Sequence, residues 1–599
     1  MNFRILNFSP LSISLAFLAL AWTLPFLQWH HQPPIPSFYS EWLAFVLSLL
    51  ALLPLLNRRY WQPVILPRSL LFMLGLIAIL VLQIALDRVA YSQQALVGAL
   101  YVLWAVFLLW LGSQLRRELG LEQIAVILGW ALLVGALLSS LLGLLQHFGL
   151  HTPLDGLINR KVSGAVIANF GQPNHLANYL ALGLASLLYL VAATKISPWI
   201  AIVCGSVLLL VLALTGSRAS WLYLGAFVAL AWYWRRHNQT APAWVFRMTL
   251  VMLPAFALMQ WLAHLPFMQG VSGSITPTER LFDVANGLQI RLSLLREALQ
   301  MLVENPWLGV GFGQYAWQHF QIVSAAAAEP SSVLTPGILA GSVFNHSHNV
   351  VAQIGAEFGL AGLLLMLGGG ALWLRACARQ AATLAGWWVA AVLGVLLVHS
   401  LLEYPLWYSN FLGVAALLVG AVDAQRLQLR LSAFMRAAFG LMLILSGVAS
   451  VGLVQAYAKL EGLLQVHQVK MSTQEVDQVL QHVRKESLLA PYSDFAYALS
   501  IALDQELIEE KLALNTQVMH FAPTQVLVYQ QAILLGLQGD EPAAQLMLKR
   551  ALLVYPNGAN HFLQTYASLE AESRSHLEPL QQTVQIFLQE QSQHAIHTK

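Results

Sequence analysis

Charged side chains are scarce in this sequence. Asp, Glu, Lys and Arg make up 10% of its 599 residues, where a soluble domain carries about 25%. Hydrophobic residues make up 58%. That balance excludes an ordinary soluble chain and indicates a polytopic membrane protein. Cysteine is almost missing: Cys204 and Cys377 are the only two, each in or at the edge of an apolar run. They give no disulfide framework and no zinc site. There is no basic block and the net charge is only +3, so nucleic acid is not expected as a partner. No small-residue cleavage site follows the apolar stretch Leu11–Phe26. That stretch therefore reads as a first membrane helix rather than a removable signal.

What is present is a long series of apolar runs. Thirteen stand out, at 10–28, 41–56, 69–86, 95–112, 123–146, 175–193, 198–214, 219–234, 246–263, 350–374, 384–400, 405–422 and 434–454. Runs of this length are membrane-span candidates. The cations between them are unevenly shared. With the N-terminus inside, the inside connections carry fifteen, from Arg4, Arg58 and Arg59 to Arg426, Arg430 and Arg436. The outside connections carry seven: Arg88, Arg160, Lys161, Arg218, Arg280, Arg291 and Arg296. Positive charge favours the inside, so the expected topology is thirteen spans with the C-terminus outside. The few outside cations then call for a reason.

The chain is organised around Phe344–Gly362, FNHSHNVVAQIGAEFGLAG. It brings His346 and His348 to the start of an apolar run. Asn349, Gln353 and Glu357 recur every four residues, which places them on one helical face. Polar groups are costly against lipid, so the stripe is expected to line a protein interior or a wet cavity. Gly355 and Gly359 form a GxxxG pair that would let a second helix approach closely. The positive end of a helix dipole disfavours imidazolium, and a neutral imidazole beside a cavity is a competent general base. A well-packed membrane helix with a polar cap is the competing reading.

Other polar groups gather on the outside face. Asn169–Leu182 carries Gln172, Asn174 and His175 at a helix start, where a simple capped turn competes. Arg218 lies in the short connection Leu214–Trp221, where a snorkelling arginine competes. His399, Glu403 and Tyr404 surround the helix-breaking Pro405, and an interfacial aromatic belt with Trp407 and Tyr408 competes. In the large loop 264–345, Ile290, Leu294, Ala298, Met301 and Leu302 follow helical spacing. An amphipathic helix near the membrane surface is expected there, with Arg291 and Arg296 on its polar side. The following Gly309-Val-Gly-Phe-Gly313 lacks a preceding strand and reads as a flexible turn, not a nucleotide loop. Beyond Val454 charge returns. Pro491, Pro523 and Pro556 each end an apolar or aromatic stretch at spacings of 32 and 33 residues, close to a tetratricopeptide period.

Three motifs, FGQPNHLANYLAL at 170–182, LTGSRASW at 214–221 and FNHSHNVVAQIGAEFGLAG at 344–362, resemble the O-antigen ligase superfamily. More narrowly, they resemble the bacterial O-oligosaccharyltransferases of PglL type. The resemblance implies an all-α polytopic protein of about thirteen transmembrane helices. A ligase domain at 1–457 would hold the periplasmic loop 264–345 between spans 9 and 10. A soluble periplasmic tetratricopeptide-like domain would follow at 458–599. The implied reaction moves a preassembled glycan from undecaprenyl pyrophosphate to a Ser or Thr of a periplasmic protein such as a pilin, at the bacterial inner membrane, with no cofactor. His348 matches the essential histidine of that family. Arg218 and Arg291 match its pyrophosphate-binding arginines. Gln172 and Tyr404 match positions tied to transfer, with Asn174, Asn349, Glu357 and Glu403 in support.

The chemistry agrees independently. A hydroxyl nucleophile must lose its proton, so a base is needed. A departing pyrophosphate gains charge, which planar, bidentate arginines suit. No Asp-x-Asp pair occurs on the outside face, and His346 and His348 lack an obvious third ligand, so no metal is expected. Three alternatives stay open: a ligase acting on lipid A core, an O-antigen polymerase, and a lipid-linked glycan transporter. No paired halves of the transporter kind are visible.

Overall fold

The computed structural model describes residues 9–159, 164–238, 243–271, 284–326, 343–377, 383–464 and 473–597. Arg4, Arg160, Lys161, Arg280 and Arg379 lie outside these residues. The described chain is nearly all helical. Each of the thirteen apolar runs falls on a helix, and two of them share Ser92–Phe148. That helix is interrupted at Gly120, whose φ of 79° lies in the left-handed region, beside Arg116, Arg117 and Glu118. Among the described residues, seven helices are long and apolar enough to cross a membrane, and four shorter apolar helices accompany them. One departure from an all-helical chain is a two-stranded antiparallel ribbon, in which Val64–Pro67 pairs with Arg426–Leu429. Both strands lie in short connections between apolar helices. The Asp423 carboxylate accepts from Ser69 N–H at 2.8 Å beside them.

The chain divides into two compact units. The first comprises 1–77, 100–284 and 364–454, and the second 78–99, 285–363 and 455–599. Within the first unit, Pro173–Ala192 is the most enclosed helix. Pro173 at its first turn suits a helix start, where an N–H has no intrahelical partner anyway. The helix packs on Pro198–Leu214, Ala219–His237 and Leu384–Ser400. Two glycines let other backbones touch. A Cβ on Gly112 would meet Leu417 O at 2.1 Å, and one on Gly420 would meet Leu109 O at 2.0 Å. Polar clips fasten the interior: Tyr179 OH donates to Trp22 O at 2.7 Å, and Trp388 Nε1 to Ser186 Oγ at 3.0 Å.

In the second unit, the C-terminal residues form helical hairpins. Helices Ile508–Phe521 and Glu541–Val554 start 33 residues apart. Their partners Gln525–Gln538 and Ala559–Ser568 start 34 apart. Gly539, at φ 92°, caps one helix, and Asp540 caps the next by accepting from Ala543 N–H. The hairpins share a core with Phe320 and Val323 of the helix Tyr315–Ala326. Trp317 of that helix stacks on His520 with ring centroids 4.3 Å apart. Tyr91 OH donates to Asp494 at 3.1 Å, and Arg484 pairs with the same carboxylate at 2.8 Å. The loop helix at 315–326 and the residues beyond 455 therefore fold together, which their separation in sequence conceals.

Helix Val284–Glu304 buries Leu294, Ala298 and Met301, as its spacing predicts. The glycine run that follows is not the flexible turn expected. Gly309, Gly311 and Gly313 all take positive φ, at 70°, 109° and 76°, and both sides of the loop are bonded. Val310 N–H donates to Ala356 O at 2.9 Å. Phe312 N–H donates to Gln83 Oε1 at 3.1 Å, and Gly313 N–H to Glu357 Oε1 at 3.0 Å. Gln83 Nε2 returns bonds to Leu308 O and Glu357 O, both at 2.8 Å. Glycine is needed because those φ values are unfavourable for other residues, and the bonds remove the mobility glycine would otherwise allow. The GxxxG expectation holds at Gly355, where a Cβ would meet Leu302 of the helix Val284–Glu304 at 3.5 Å, and fails at Gly359. Gly359 has φ 63° and interrupts the helix Val350–Leu363. What approaches it is not a helix but the loop, since a Cβ there would meet Gly309 N and Trp307 C at 2.6 Å.

Candidate active site

In the second unit, the helix begins at Val350 and Asn349 caps it. Asn349 Oδ1 accepts from Val351 N–H at 3.0 Å and Ala352 N–H at 3.1 Å, satisfying donors that a helix start leaves unpaired. Gln353 Oε1 accepts from Ser347 N–H at 2.8 Å. Glu357 Oε1 accepts from Gly313 and Tyr315 N–H, at 3.0 and 3.4 Å. Gln353 and Glu357 are buried. The polar stripe is therefore real, but all three members bond backbone. Within this unit Gln353 braces the histidine turn and Glu357 the glycine loop.

Those braces hold His348 in an unusual state. Its φ is 54°, a left-handed conformation that costs a non-glycine residue on the order of 1–3 kcal/mol and clusters at functional sites. His348 N–H donates to His346 Nδ1 at 3.2 Å. That contact leaves Nδ1 of His346 as an acceptor and assigns its ring proton to Nε2. The two rings meet edge to face with centroids 4.0 Å apart. His346 is buried, whereas His348 is half-buried. Phe344 lies between His348 and a deeper pair: its ring centroid is 6.0 Å from that of His348 and 5.7 Å from that of His319. His319 Nδ1 and Glu297 Oε2 stand 2.5 Å apart, fully buried. Arg291 is half-buried on the helix Val284–Glu304. Arg88, one of the outside cations, bonds Gly309 O at 3.0 Å and so has a structural use.

The first unit holds a second polar cluster. Gln172 precedes Pro173, and its side chain makes no cap hydrogen bond, so the simple capped turn is not what is found. Asn174 Nδ2 donates to Glu403 Oε1 at 2.9 Å. Glu403 is buried, in a turn closed by its own N–H to His399 O at 2.8 Å. His399 Nδ1 meets Tyr223 OH at 2.6 Å. The His175 ring lies 5.6 Å from His399 and 4.8 Å from Tyr408, and Tyr404 stacks on Tyr408 at 5.7 Å. Tyr408 thus belongs to an inner cluster, while Trp407 remains exposed. Burial pushes the Tyr404 hydroxyl up, which keeps it a proton-bearing donor. Nε2 of His175 and of His399 are buried without a hydrogen-bond partner among the described residues. Arg218 is half-buried at the turn entering Ala219–His237. Gly216 at φ 63° precedes it, and Ser217 N–H bonds Thr215 Oγ1 at 3.2 Å.

Gln172, Asn174, Arg218, Glu403 and Tyr404 therefore lie in the first unit, and Arg291, His348, Asn349 and Glu357 in the second. Sequence reasoning missed Tyr223, Gln83 and the His319–Glu297 pair. The first had a signal, a tyrosine whose polar tip must find a partner on a buried face.

Comparison with known proteins covers both clusters. Residues 166–191, which include Gln172 and Asn174, match a family described as protein glycosylation ligase. Residues 200–367, which include Arg218, Arg291 and His348, match O-antigen ligase. These two matches make the chain similar to O-antigen ligases and to protein glycosylation ligases over the residues concerned. Residues 387–569, spanning Glu403, Tyr404 and much of the hairpin array, match the C-terminal part of a virulence factor membrane-bound polymerase. The chain is 28% identical over 428 residues to a general O-oligosaccharyltransferase of Acinetobacter baylyi, covering 70% of this chain and 71% of the relative. It is 22% identical over 404 residues to a ComP-specific O-oligosaccharyltransferase of the same organism, covering 66% and 69%. It is thus similar to two O-oligosaccharyltransferases, and its apolar helices together with the O-antigen ligase match fit a multi-pass membrane protein.

Proposed function

We propose that the protein is an O-oligosaccharyltransferase that moves a preassembled glycan from undecaprenyl pyrophosphate to a Ser or Thr hydroxyl of a protein. One observation carries the reading: similarity along 70% of the chain to a general O-oligosaccharyltransferase. The left-handed His348 turn, inside the O-antigen ligase match, supports it. His348 takes the proton from the acceptor hydroxyl as its oxygen attacks the anomeric carbon. The bond to pyrophosphate breaks, and Arg218 and Arg291 hold the charge that develops on the leaving group. Asn174, Glu403 and Tyr404 position the acceptor side, with Gln172. Thirteen spans, a periplasmic face for these residues and a tetratricopeptide-like role for the hairpins in recruiting a pilin-type acceptor complete the proposal.

The test is mass analysis of periplasmic proteins and of lipopolysaccharide from a strain lacking this gene. Loss of glycan from protein with lipopolysaccharide intact is expected. Loss of the O-antigen with protein glycans intact contradicts the reading. The polymerase match at 387–569 favours a second reading, in which glycan chain length would shorten instead.

A further inference from the structure

Helix Val284–Glu304 has two apolar faces. One is buried, with Ala298 and Met301 packed among Val310, Tyr315 and Ala356. The opposite face carries Leu292, Leu295, Leu299 and Val303 at 44%, 36%, 60% and 70% exposure, and Trp307, past the helix end, is 75% exposed. Spacings of three and four residues keep these side chains on one stripe. A polar strip of Arg296, Gln300 and Glu304 runs alongside, with Gln300 Nε2 donating to Glu304 Oε1 at 2.9 Å.

Backbone bonds fix the depth of this stripe. Leu360 N–H donates to Pro306 O at 2.7 Å, and Ala361 N–H to Trp307 O at 3.2 Å. Both donors belong to Val350–Arg375, a helix long and apolar enough to cross a membrane. Phe358, the last residue before the interruption at Gly359, lies about 12 Å along the helix from Val350 at 1.5 Å per residue, against a hydrocarbon thickness of about 30 Å. Irregular backbone survives at such depth only where protein groups satisfy it. Here they do, through Gln83, Arg88, Ala356 and Glu357. Gln83 is fully buried near the end of the apolar helix Leu70–Ala85, a costly place for an amide that had no such task.

We propose that Leu299–Gly313 is a re-entrant element inserted part-way into the bilayer, and that the stripe from Leu292 to Trp307 is solvated by phospholipid acyl chains. Leu360, whose N–H donates to Pro306 O, is itself exposed. Arg291 stands about 18 Å back along the helix from Val303, a reach that takes it from acyl chains toward headgroup phosphates. Resting on the proposed function, that would put a cation at the level of a lipid-borne pyrophosphate.

The test uses the full-length protein in nanodiscs of phosphatidylethanolamine and phosphatidylglycerol. In a Cys204→Ala, Cys377→Ala background, nitroxides are attached at Leu299→Cys, Val303→Cys and Gln300→Cys. Labels at 299 and 303 should collide with oxygen in several-fold preference to a nickel chelate, relative to the label at 300. Equal nickel access at all three positions overturns the proposal. A second measurement needs no cysteine variant: brominated acyl chains should quench the emission lost on Trp307→Phe. Emission from Trp307 that brominated lipid leaves untouched also overturns it. Neither readout depends on glycan transfer, so neither can fail merely because the proposed activity is wrong.

Discussion

Glu357 Oε1 accepts the Gly313 backbone N–H at 3.0 Å, across 44 residues of chain. A carboxylate inside an apolar run invites a catalytic assignment, and this contact gives it a different task. It holds the glycine loop on which the helix Val284–Glu304 ends.

The two tasks separate by substitution. Glu357→Gln keeps an oxygen acceptor and should retain transfer and melting temperature. Glu357→Leu leaves the Gly313 and Tyr315 N–H groups without that acceptor, at about 1–3 kcal/mol each, and should lower the melting temperature of the purified protein markedly. If the Gln variant loses transfer while melting normally, the charge itself is needed and the bracing account is wrong.

The Asn174–Glu403 contact at 2.9 Å predicts that the amide and the carboxylate can be exchanged between the two positions. Asn174→Asp alone sets two carboxylates face to face and should impair transfer. Adding Glu403→Gln restores a donor–acceptor pair and should recover much of the loss. A double variant no better than the worse single one would mean the two side chains act separately.

The limits of sequence reading show in these same residues. Apolar runs were legible because membrane length and hydrophobicity are local properties, and each run falls on a helix. The period of four at Asn349, Gln353 and Glu357 was legible too. Its use was not, because the partners of Glu357 at Gly313 and Tyr315, and of Gln83 at Phe312, lie tens to hundreds of residues away. The glycines at 309, 311 and 313 signal positive φ equally well in a loose or a locked loop, and only the bonds decide. The left-handed backbone of His348 had no local mark, since positive φ is uncommon for any residue but glycine. The packing of Trp317 on His520 depended on two segments that share no motif.

That packing makes the second unit sensitive to acid. Burial holds the His520 imidazole below its usual value, so the unfolded state binds more protons, and stability rises with pH. The contribution is present above the unperturbed value near 6.5 and shrinks as pH falls below it. Thermal unfolding of this part of the protein should drop between about pH 7 and pH 5, and His520→Gln should flatten that slope. An unchanged slope in the variant would assign the acid sensitivity elsewhere.

For the cations, Arg218→Lys and Arg291→Lys keep charge and lose the planar fork, so each should reduce transfer and weaken donor binding. Full activity in both variants would rule out bidentate contact with the pyrophosphate.

The central claim is that His348 is the general base and His346 its support. Removing a base typically costs about 10²–10⁴-fold in rate. His346 supplies one acceptor, to His348 N–H at 3.2 Å, and one hydrogen bond is worth about 0.5–1.5 kcal/mol, or roughly two- to tenfold. The decisive measurement is in vitro transfer from purified lipid-linked glycan to an acceptor protein by His348→Ala and His346→Ala, with donor binding measured separately. The account predicts that His348→Ala binds donor normally and loses at least about 10²-fold in transfer, while His346→Ala loses distinctly less. Normal transfer by His348→Ala, or a greater loss in His346→Ala, would contradict it.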